Sequence, residues 1–253
     1  MLKQRLHIST IDSRAHERAL INGLGIEIAE FCWAQYLDVG RDEHIEISRR
    51  ASEGIKSLWF HAPFAEISPC AIDPKVRALT RERYFESIDT AARLGIKHIV
   101  IHGGYIPHVY FPESYVEQSV IFWKDLLKDA PEDIIIALEN VMEPSPDMLV
   151  EIVNTVNDPR LGLCLDIGHA NCSVSEVKPL YWVEPMSKKL LHVHLHDNLG
   201  VSDTHLALGE GLIPIESIIK KVLALAPSAS FTIENMDSDG SIRWLKERGF
   251  LDD

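Results

Sequence analysis

The sequence predicts an α/β protein in which a single closed (β/α)8 barrel occupies residues 1–253. Eight short apolar runs alternate with longer amphipathic stretches along the chain, and buried parallel strands have this appearance in sequence. The length of 253 residues also matches the roughly 250 that such a barrel typically needs. An open doubly wound sheet would instead predict a glycine-rich phosphate loop early in the chain, and residues 26–35 contain no glycine.

The eight apolar runs are the predicted strands, and each is followed by a helical pattern. They are residues 5–10, 25–31, 58–64, 98–104, 134–140, 162–169, 191–198 and 230–235. In the seventh run, Val193 and Leu195 alternate with His192, His194 and His196. If the aliphatic side chains face the helices, the histidines face the barrel axis. We expect His192, the deepest of the three, to hydrogen-bond its neighbours only.

The clearest helical pattern covers residues 74–95, where apolar residues recur near a period of 3.6. Gly95 and Gly249 suit the residue that follows a helix, and Pro146 and Pro214 suit the first turn of one. The other clear patterns are residues 113–128, 146–156, 214–226 and 240–248.

Composition limits the classes of partner. The formal charge of −13 repels nucleic acid and anionic membranes at long range. The four cysteines form no C-x-x-C pair, the first ten residues lack a signal-peptide core, and no apolar run is long enough to span a bilayer. We therefore expect a cytoplasmic protein that has no membrane partner, while its oligomeric state cannot be predicted from periodicity.

Nine imidazole and carboxylate residues lie at or just past the ends of successive predicted strands. They are His61, His102, Glu139, Asp166, His169, His194, Asp203, His205 and Glu234. A single buried histidine is usually a satisfied core residue, but nine such groups would each need compensation for lost hydration. Neutral imidazole and anionic oxygen together are the ligands that zinc and manganese accept.

Seven short motifs carry a family resemblance that covers nearly the whole chain. In order they are HAPF, HGG, LEN, LDIGHAN, HVHLHDN, DTHLALGEGLIP and IEN. The ordered set resembles the xylose isomerase-like TIM barrels (AP endonuclease family 2), which include endonuclease IV, sugar epimerases and isomerases, and some dehydratases. The resemblance implies an enzyme that uses one to three divalent ions, zinc or manganese.

The resemblance to endonuclease IV also implies a ligand set. It assigns His61, His102 and Glu139 to one ion. Glu139 would bridge to a second ion held by Asp166, His194 and Glu234, and a third would be held by His169, Asp203 and His205. The four-residue subset of Glu139, Asp166, His194 and Glu234 is shared with the single-metal epimerases, so that subset does not decide the reaction.

The register of HVHLHDN is open to one alternative. The family pattern aligns with His194-Leu195-His196-Asp197, which makes His194 the ligand and His196 a residue at the rim or behind the ligands; a shift of one inward position would exchange them. Asp197, Asn140 and Phe64 are further candidates for supporting the ligands or contacting the substrate. Other loop aromatics that suit a substrate contact, or simple loop packing, are Trp33, Tyr36, Tyr105 and Tyr110.

Three functions fit these residues. The first is metal-assisted hydrolysis of a phosphoester on a small sugar or phosphorylated sugar. The second is isomerisation or epimerisation of a sugar or sugar phosphate, with Glu139 and Glu234 as the catalytic acid and base. The third is a non-catalytic metal-binding barrel. Repair of abasic DNA is disfavoured, because Thr204 replaces the arginine of the family's Asp-Arg-His and duplex binding needs clustered Lys and Arg.

Overall fold

The computed structural model describes residues 2–252, in which eight parallel strands close into one barrel. The strands pair in sequential order, and the last pairs with the first. They are β1 (Leu6–Ser9), β2 (Gly25–Ile28), β3 (Leu58–His61), β4 (His98–His102), β5 (Ile135–Glu139), β6 (Leu161–Asp166), β7 (Leu190–Leu195) and β8 (Ser230–Ile233). The predicted α/β barrel is confirmed. Met1 and Asp253, the ends of the predicted range, lie outside the described residues.

Helices surround the barrel and follow each strand. Over residues 2–252 they are α1 (Ala15–Asn22), α2 (Gln35–Asp38), α3 (Arg41–Arg50), α4 (Pro74–Arg93), α5 (Pro112–Asp129), α6 (Asp147–Val156), α7 (Pro179–Met186), α8 (Ile215–Leu225) and α9 (Asp239–Glu247). Gly95 and Gly249 follow α4 and α9 with positive φ, as expected. Pro146 and Pro214 lie one residue before their helices rather than in the first turn, where a missing N–H is equally harmless.

The larger core lies between the strands and the helices, whereas the barrel interior is partly polar. Ile26 and Ile28 of β2 and Val193 and Leu195 of β7 are buried in the outer layer. The alternate positions point inward, as strand geometry requires. A small apolar cluster fills part of the interior, and it consists of Trp59, Val100, Ala137 and Cys164 with Leu191 packed against it.

Histidines close the lower part of the barrel. His192 lies between Ser230 Oγ at 2.6 Å and Thr232 Oγ1 at 2.8 Å, and its ring stacks on Trp59. The expectation that His192 hydrogen-bonds its neighbours is confirmed. His7 contacts the Phe231 carbonyl oxygen at 3.0 Å. These contacts leave the carboxyl ends of the strands as the open end of the barrel.

The four cysteines are unpaired thiols in the structure. The cytoplasmic location expected from them remains a prediction. Over residues 2–252 we find no helix with the length and apolar character needed to cross a bilayer.

Candidate metal centre

The nine predicted residues all lie at the carboxyl end of the barrel. His61, His102, Glu139 and Asp166 are the last residues of β3, β4, β5 and β6, and His194 is one residue from the end of β7. Because parallel strands end at the same rim, these side chains converge. The other four lie in segments that follow strands. His169 is in the 3-10 turn after β6, Asp203 and His205 are in the loop between β7 and α8, and Glu234 is directly after β8.

Glu139 lies at the centre of the group, and its two oxygens face different imidazoles. Oε2 is 3.4 Å from His61 Nε2 and 3.4 Å from His102 Nε2. Oε1 is 3.0 Å from His194 Nδ1 and 3.5 Å from His169 Nδ1. The carboxylate is 1% exposed, so its charge is compensated by these rings and not by water.

His194 is surrounded by carboxylates at the mouth of the barrel. Its Nδ1 is 3.0 Å from Glu139 Oε1, 3.3 Å from Glu234 Oε2 and 3.6 Å from Asp166 Oδ2. Ligand-type atoms of these four residues all lie within 4.8 Å of one another. This spacing is compact enough for one ion to contact all four.

Asp203 organises a third cluster on the loop between β7 and α8. Its Oδ2 is 2.8 Å from His205 Nε2 and 3.3 Å from His169 Nε2. Its Oδ1 is 3.5 Å from His196 Nδ1. The loop thus places Asp203 and His205 beside the imidazoles and carboxylates at the strand ends.

His196 does not lie at the rim, contrary to one of the two positions expected for it. Its side chain is fully buried, and its Nε2 is 3.0 Å from both oxygens of Asp166. Its ring stacks on that of His205 with centroids 4.0 Å apart. The physical reason is the close approach of Gly168, which has no Cβ and lets the His196 ring pack against its backbone.

Backbone carbonyls orient three of the imidazoles. Nδ1 of His61 contacts Ala62 O at 2.9 Å, and Nδ1 of His169 contacts Asn140 O at 2.9 Å. His205 Nδ1 likewise contacts Glu234 O at 2.7 Å. A carbonyl oxygen only accepts, so each Nδ1 donates, and Nε2 of each ring is left to face the carboxylates of the site.

The cluster is electrostatically coupled. Burial raises the pKa of Glu139, but the imidazoles of His194 and His102 outweigh burial and hold that pKa well below its usual value. Burial lowers the pKa of His205, yet the hydrogen bond with Asp203 and nearby carboxylates raise it to about 9. Without a metal ion, the neighbouring imidazoles therefore provide the main compensation for these buried carboxylates.

Asn140 and Asp197, two of the predicted supporting residues, hold backbone segments of the site. Asn140 exchanges two hydrogen bonds of 2.9 Å with the backbone of Asp166 and so joins the ends of β5 and β6. Asp197 accepts from the backbone N–H groups of Asn198, Gly209 and Ile213 at 2.9–3.1 Å. These bonds fix the loop that carries the Asp203 cluster.

The buried polar atoms of the site fit a divalent ion. Glu139 Oε2 and His196 Nδ1 are buried and make no hydrogen bond to residues 2–252. Ligands placed 2.0–2.1 Å from a tetrahedral zinc ion lie about 3.3–3.4 Å apart. The Glu139 Oε2 contacts to His61 and His102 have that separation without hydrogen-bond geometry.

Sequence reasoning missed Glu27 of β2, which points into the barrel. It is fully buried, and its Oε1 is 3.2 Å from His194 Nε2. The signal was present, because a glutamate flanked by Ile26 and Ile28 in a strand must face away from both.

A cavity of about 580 Å³ opens above the centre. Its polar lining includes His61, Asp203, His205 and Glu234, and its apolar lining includes Trp33 and Phe64. A smaller cavity of about 280 Å³ lies on another side of Phe64 and is lined by Tyr105 and Tyr110. Tyr36, the remaining loop aromatic, packs instead against His44 and the core.

Cations are scarce around the opening. The segments that join each strand to the next helix contain only two, Arg14 and Lys178. Arg14 is paired with Glu17. Lys and Arg are absent from the lining of the larger cavity. An anionic group entering this cavity would therefore find no side-chain cation among its walls.

The eight strands close into a (β/α)8 barrel, and a group of imidazoles and carboxylates that could hold a metal ion lies at its carboxyl end. Residues 19–250 match the family model described as "Xylose isomerase-like TIM barrel". The chain belongs to that family, as the motifs indicated.

Curated relatives include proteins with and without a described role. An uncharacterized protein of Methanocaldococcus jannaschii is 30% identical over 192 residues, which are 72% of this chain and 66% of that relative, just under two thirds of its length. A Mycobacterium ulcerans protein named "Probable endonuclease 4" is 25% identical over 203 residues, 76% of this chain and 78% of the relative.

Solved structures agree on the fold. A D-tagatose 3-epimerase-like protein superimposes with a TM-score of 0.78 and 26% identity, covering 96% of both chains. A Thermus thermophilus protein, solved after soaking with ZnCl2, has a TM-score of 0.73 and 26% identity, covering 98% of both chains. The similar proteins thus include both an epimerase-like protein and proteins named for an endonuclease.

Proposed function

We propose that this protein is a divalent-metal-dependent hydrolase that cleaves a phosphoester bond in a small sugar or phosphorylated sugar. The observation that carries the proposal is that the two carboxylate oxygens of Glu139 contact different imidazoles. Oε2 faces His61 and His102, while Oε1 faces His194. A carboxylate shared in this way suits a bridge between two ions. A single-ion site would have no use for the first pair of imidazoles.

The proposed ligand sets follow from these contacts. His61, His102 and Glu139 Oε2 would hold one ion. Glu139 Oε1, Asp166, His194 and Glu234 would hold a second, and His169, Asp203 and His205 a third, with zinc or manganese suited to all three. Divalent ions at these positions would lower the pKa of water and withdraw charge from the phosphoryl oxygens.

The chain's own side chains restrict the substrate. Because no Lys or Arg lines the 580 Å³ cavity, a phosphoryl group has its only cationic environment at the proposed centre. The walls formed by Trp33, Phe64 and Met236 favour an uncharged organic portion with an apolar face. We therefore propose a substrate whose reacting phosphoryl group is its main charge.

Metal loading with a substrate panel tests the proposal. Protein stripped with a chelator and reloaded with zinc or manganese should hydrolyse bis(p-nitrophenyl) phosphate or simple sugar phosphates, and the stripped protein should not. Elemental analysis should give two or three ions per chain. One ion per chain together with no hydrolysis of any phosphoester would contradict the proposal.

Epimerisation is the second candidate, and a specific contact favours it. Glu139 and Glu234 approach the same His194 nitrogen, at 3.0 and 3.3 Å, so two carboxylates lie within reach of a substrate carbon bound beside it. One carboxylate would remove a proton and the other would return it to the opposite face. The similarity to a D-tagatose 3-epimerase-like protein supports the same idea.

Solvent deuterium separates the two candidates. An epimerase incubated with ketohexoses in D2O would incorporate deuterium at the epimerised carbon and would need one ion per chain. A phosphoesterase would leave every C–H bond of its substrate intact. DNA repair ranks third, because the strand–helix loops offer few cations for phosphate contacts.

A further inference from the structure

We infer that Glu27 is a positioning residue that fixes His194 toward the metal centre, an inference that rests on the metal site of the proposed function. Glu27 lies on β2, on the opposite side of the His194 ring from the three carboxylates that His194 Nδ1 faces. Its Oε1 faces His194 Nε2 at 3.2 Å, whereas His194 Nδ1 faces Glu139 and Glu234. The ring thus stands between a buried carboxylate and the centre.

The surroundings of Glu27 hold the carboxylate in one orientation. Its Oε2 accepts a hydrogen bond from Thr232 Oγ1 at 2.7 Å and lies 3.1 Å from His192 Nε2. Those contacts leave Oε1 facing His194 Nε2 at 3.2 Å, and neither atom meets hydrogen-bond geometry with any partner in residues 2–252. The two atoms are therefore each other's available partners.

Charge makes this pairing more than a packing contact. Glu27 is fully buried and has no Lys or Arg partner among the described residues, so only imidazoles compensate it. An unpaired buried carboxylate is costly, which favours donation of the His194 Nε2 proton to Oε1. The neutral ring then carries its lone pair on Nδ1, the nitrogen that faces the proposed ion.

The consequence is a defined contribution to metal affinity. A carboxylate that accepts from a ligating histidine fixes the tautomer and ring orientation and raises the basicity of the other nitrogen, and losing such a partner typically costs about 10–100-fold in affinity. Glu27 itself would not contact the ion. Loss of the Glu27 carboxylate should weaken binding of the ion assigned to Glu139, Asp166, His194 and Glu234, and should leave the fold unchanged.

Glu27→Gln is the direct test, because it keeps the shape and removes the charge. Zinc affinity is measured by chelator competition, and the visible spectrum of the cobalt-loaded protein reports the ligand geometry. We expect one ion to bind about 10–100-fold more weakly, with an altered cobalt spectrum. Glu30→Gln is the matched control, since Glu30 lies on the following loop and accepts from Thr10.

A second variant protects the test against misfolding. Thr232→Val removes the hydroxyl that holds Glu27 Oε2 but retains the carboxylate, and we expect a smaller, severalfold loss of zinc affinity. Zinc affinity and cobalt spectra equal to wild type in the folded variants would overturn the inference. Wild-type protein that binds no zinc and hydrolyses no phosphoester would instead contradict the proposed function itself.

Discussion

Glu139 performs two tasks because a carboxylate has two oxygens. One faces the pair of His61 and His102, and the other faces His194. An amide at this position would have the same shape but no charge, and one of its two terminal atoms would be a donor. The bridge between two imidazole sets therefore depends on ionised glutamate.

Glu139→Gln should reduce turnover by about a hundredfold or more, since it removes a charge at the point where two of the proposed ligand sets meet. Zinc content should fall with it, while the far-ultraviolet circular dichroism remains that of the wild type. Glu132→Gln is the control, because Glu132 is exposed in the loop before β5, at the opposite end of the barrel. Near-normal turnover and zinc content in Glu139→Gln would remove the bridging role.

At the residue scale, the sequence predicted side chains at strand ends better than side chains within strands. His61 and Glu139 were recognisable because a polar group directly follows an apolar run. Glu27 lies within its run, and its partner His194 is distant in sequence, so pairing across the barrel could not be predicted. The burial of His196 likewise depended on the nearby Gly168 backbone.

At the scale of elements, every predicted strand exists but several predicted runs were too long. Residues 58–64 were expected to form one strand, whereas β3 ends at His61. The apolar run continues beyond the strand, and one of its later residues, Phe64, stacks on His102 at the site instead of extending β3. Hydrophobicity alone cannot separate a buried strand from the apolar loop that covers a cavity.

The loop between β7 and α8 depends on Asp197. This carboxylate is fully buried and accepts from three backbone N–H groups, one of them that of Ile213 next to α8. Asp197→Ala should lower the free energy of unfolding by about 2 kcal/mol or more, because hydrogen bonds to a charged group are among the stronger ones. It should also release the ion assigned to Asp203 and His205.

Urea unfolding and zinc content of Asp197→Ala provide the measurement. Asp133→Ala is the control, because that aspartate makes only an exposed ion pair with Lys97. Unchanged stability together with full zinc content would show that the loop does not need its anchor.

The floor of the barrel predicts a pH dependence of stability. Burial, assisted by the neighbouring His192, lowers the pKa of His7 from 6.5 to about 4. Between these values the unfolded chain binds a proton that the folded protein excludes, so stability falls as pH falls. The full shift corresponds to a loss of about 3 kcal/mol in the free energy of unfolding, and this loss is complete only at pH values below the pKa of His7 in the folded protein.

Urea unfolding of metal-free protein at pH 7 and pH 5 checks this expectation. On going from pH 7 to pH 5, the change in stability should be less favourable in wild-type protein than in His7→Asn, even if the variant starts from a lower value. An identical pH difference in the two proteins would mean that His7 does not contribute. Strands β1 and β8 are the elements affected, because His7 joins them through the Phe231 carbonyl.

At the scale of the whole molecule, the charge distribution is unfavourable for binding duplex DNA. The formal charge is −13, and Arg14 and Lys178 are the only cations in the segments between strands and following helices. Three divalent ions would offset only part of that charge. The fold was predictable from the ordered motifs, and so was the position of the nine side chains at one end of the barrel. The shape of the cavity and the absence of Lys and Arg from its lining required the three-dimensional arrangement.

We predict that the metal-loaded protein does not bind abasic duplex DNA tightly, although relatives are named endonuclease 4. Flipping a nucleotide out of the helix costs a few kcal/mol, and a repair enzyme offsets this with phosphate contacts from Lys and Arg. The rim of this barrel provides too few of them, and Thr204 follows Asp203 where the related motif has arginine. A gel-shift titration with abasic duplex at moderate salt should show no submicromolar complex, and the duplex should remain intact. Tight binding that weakens with added salt, together with cleavage at the lesion, would instead make DNA the substrate. Such a salt dependence reports counterion release and therefore phosphate contacts, which this prediction excludes.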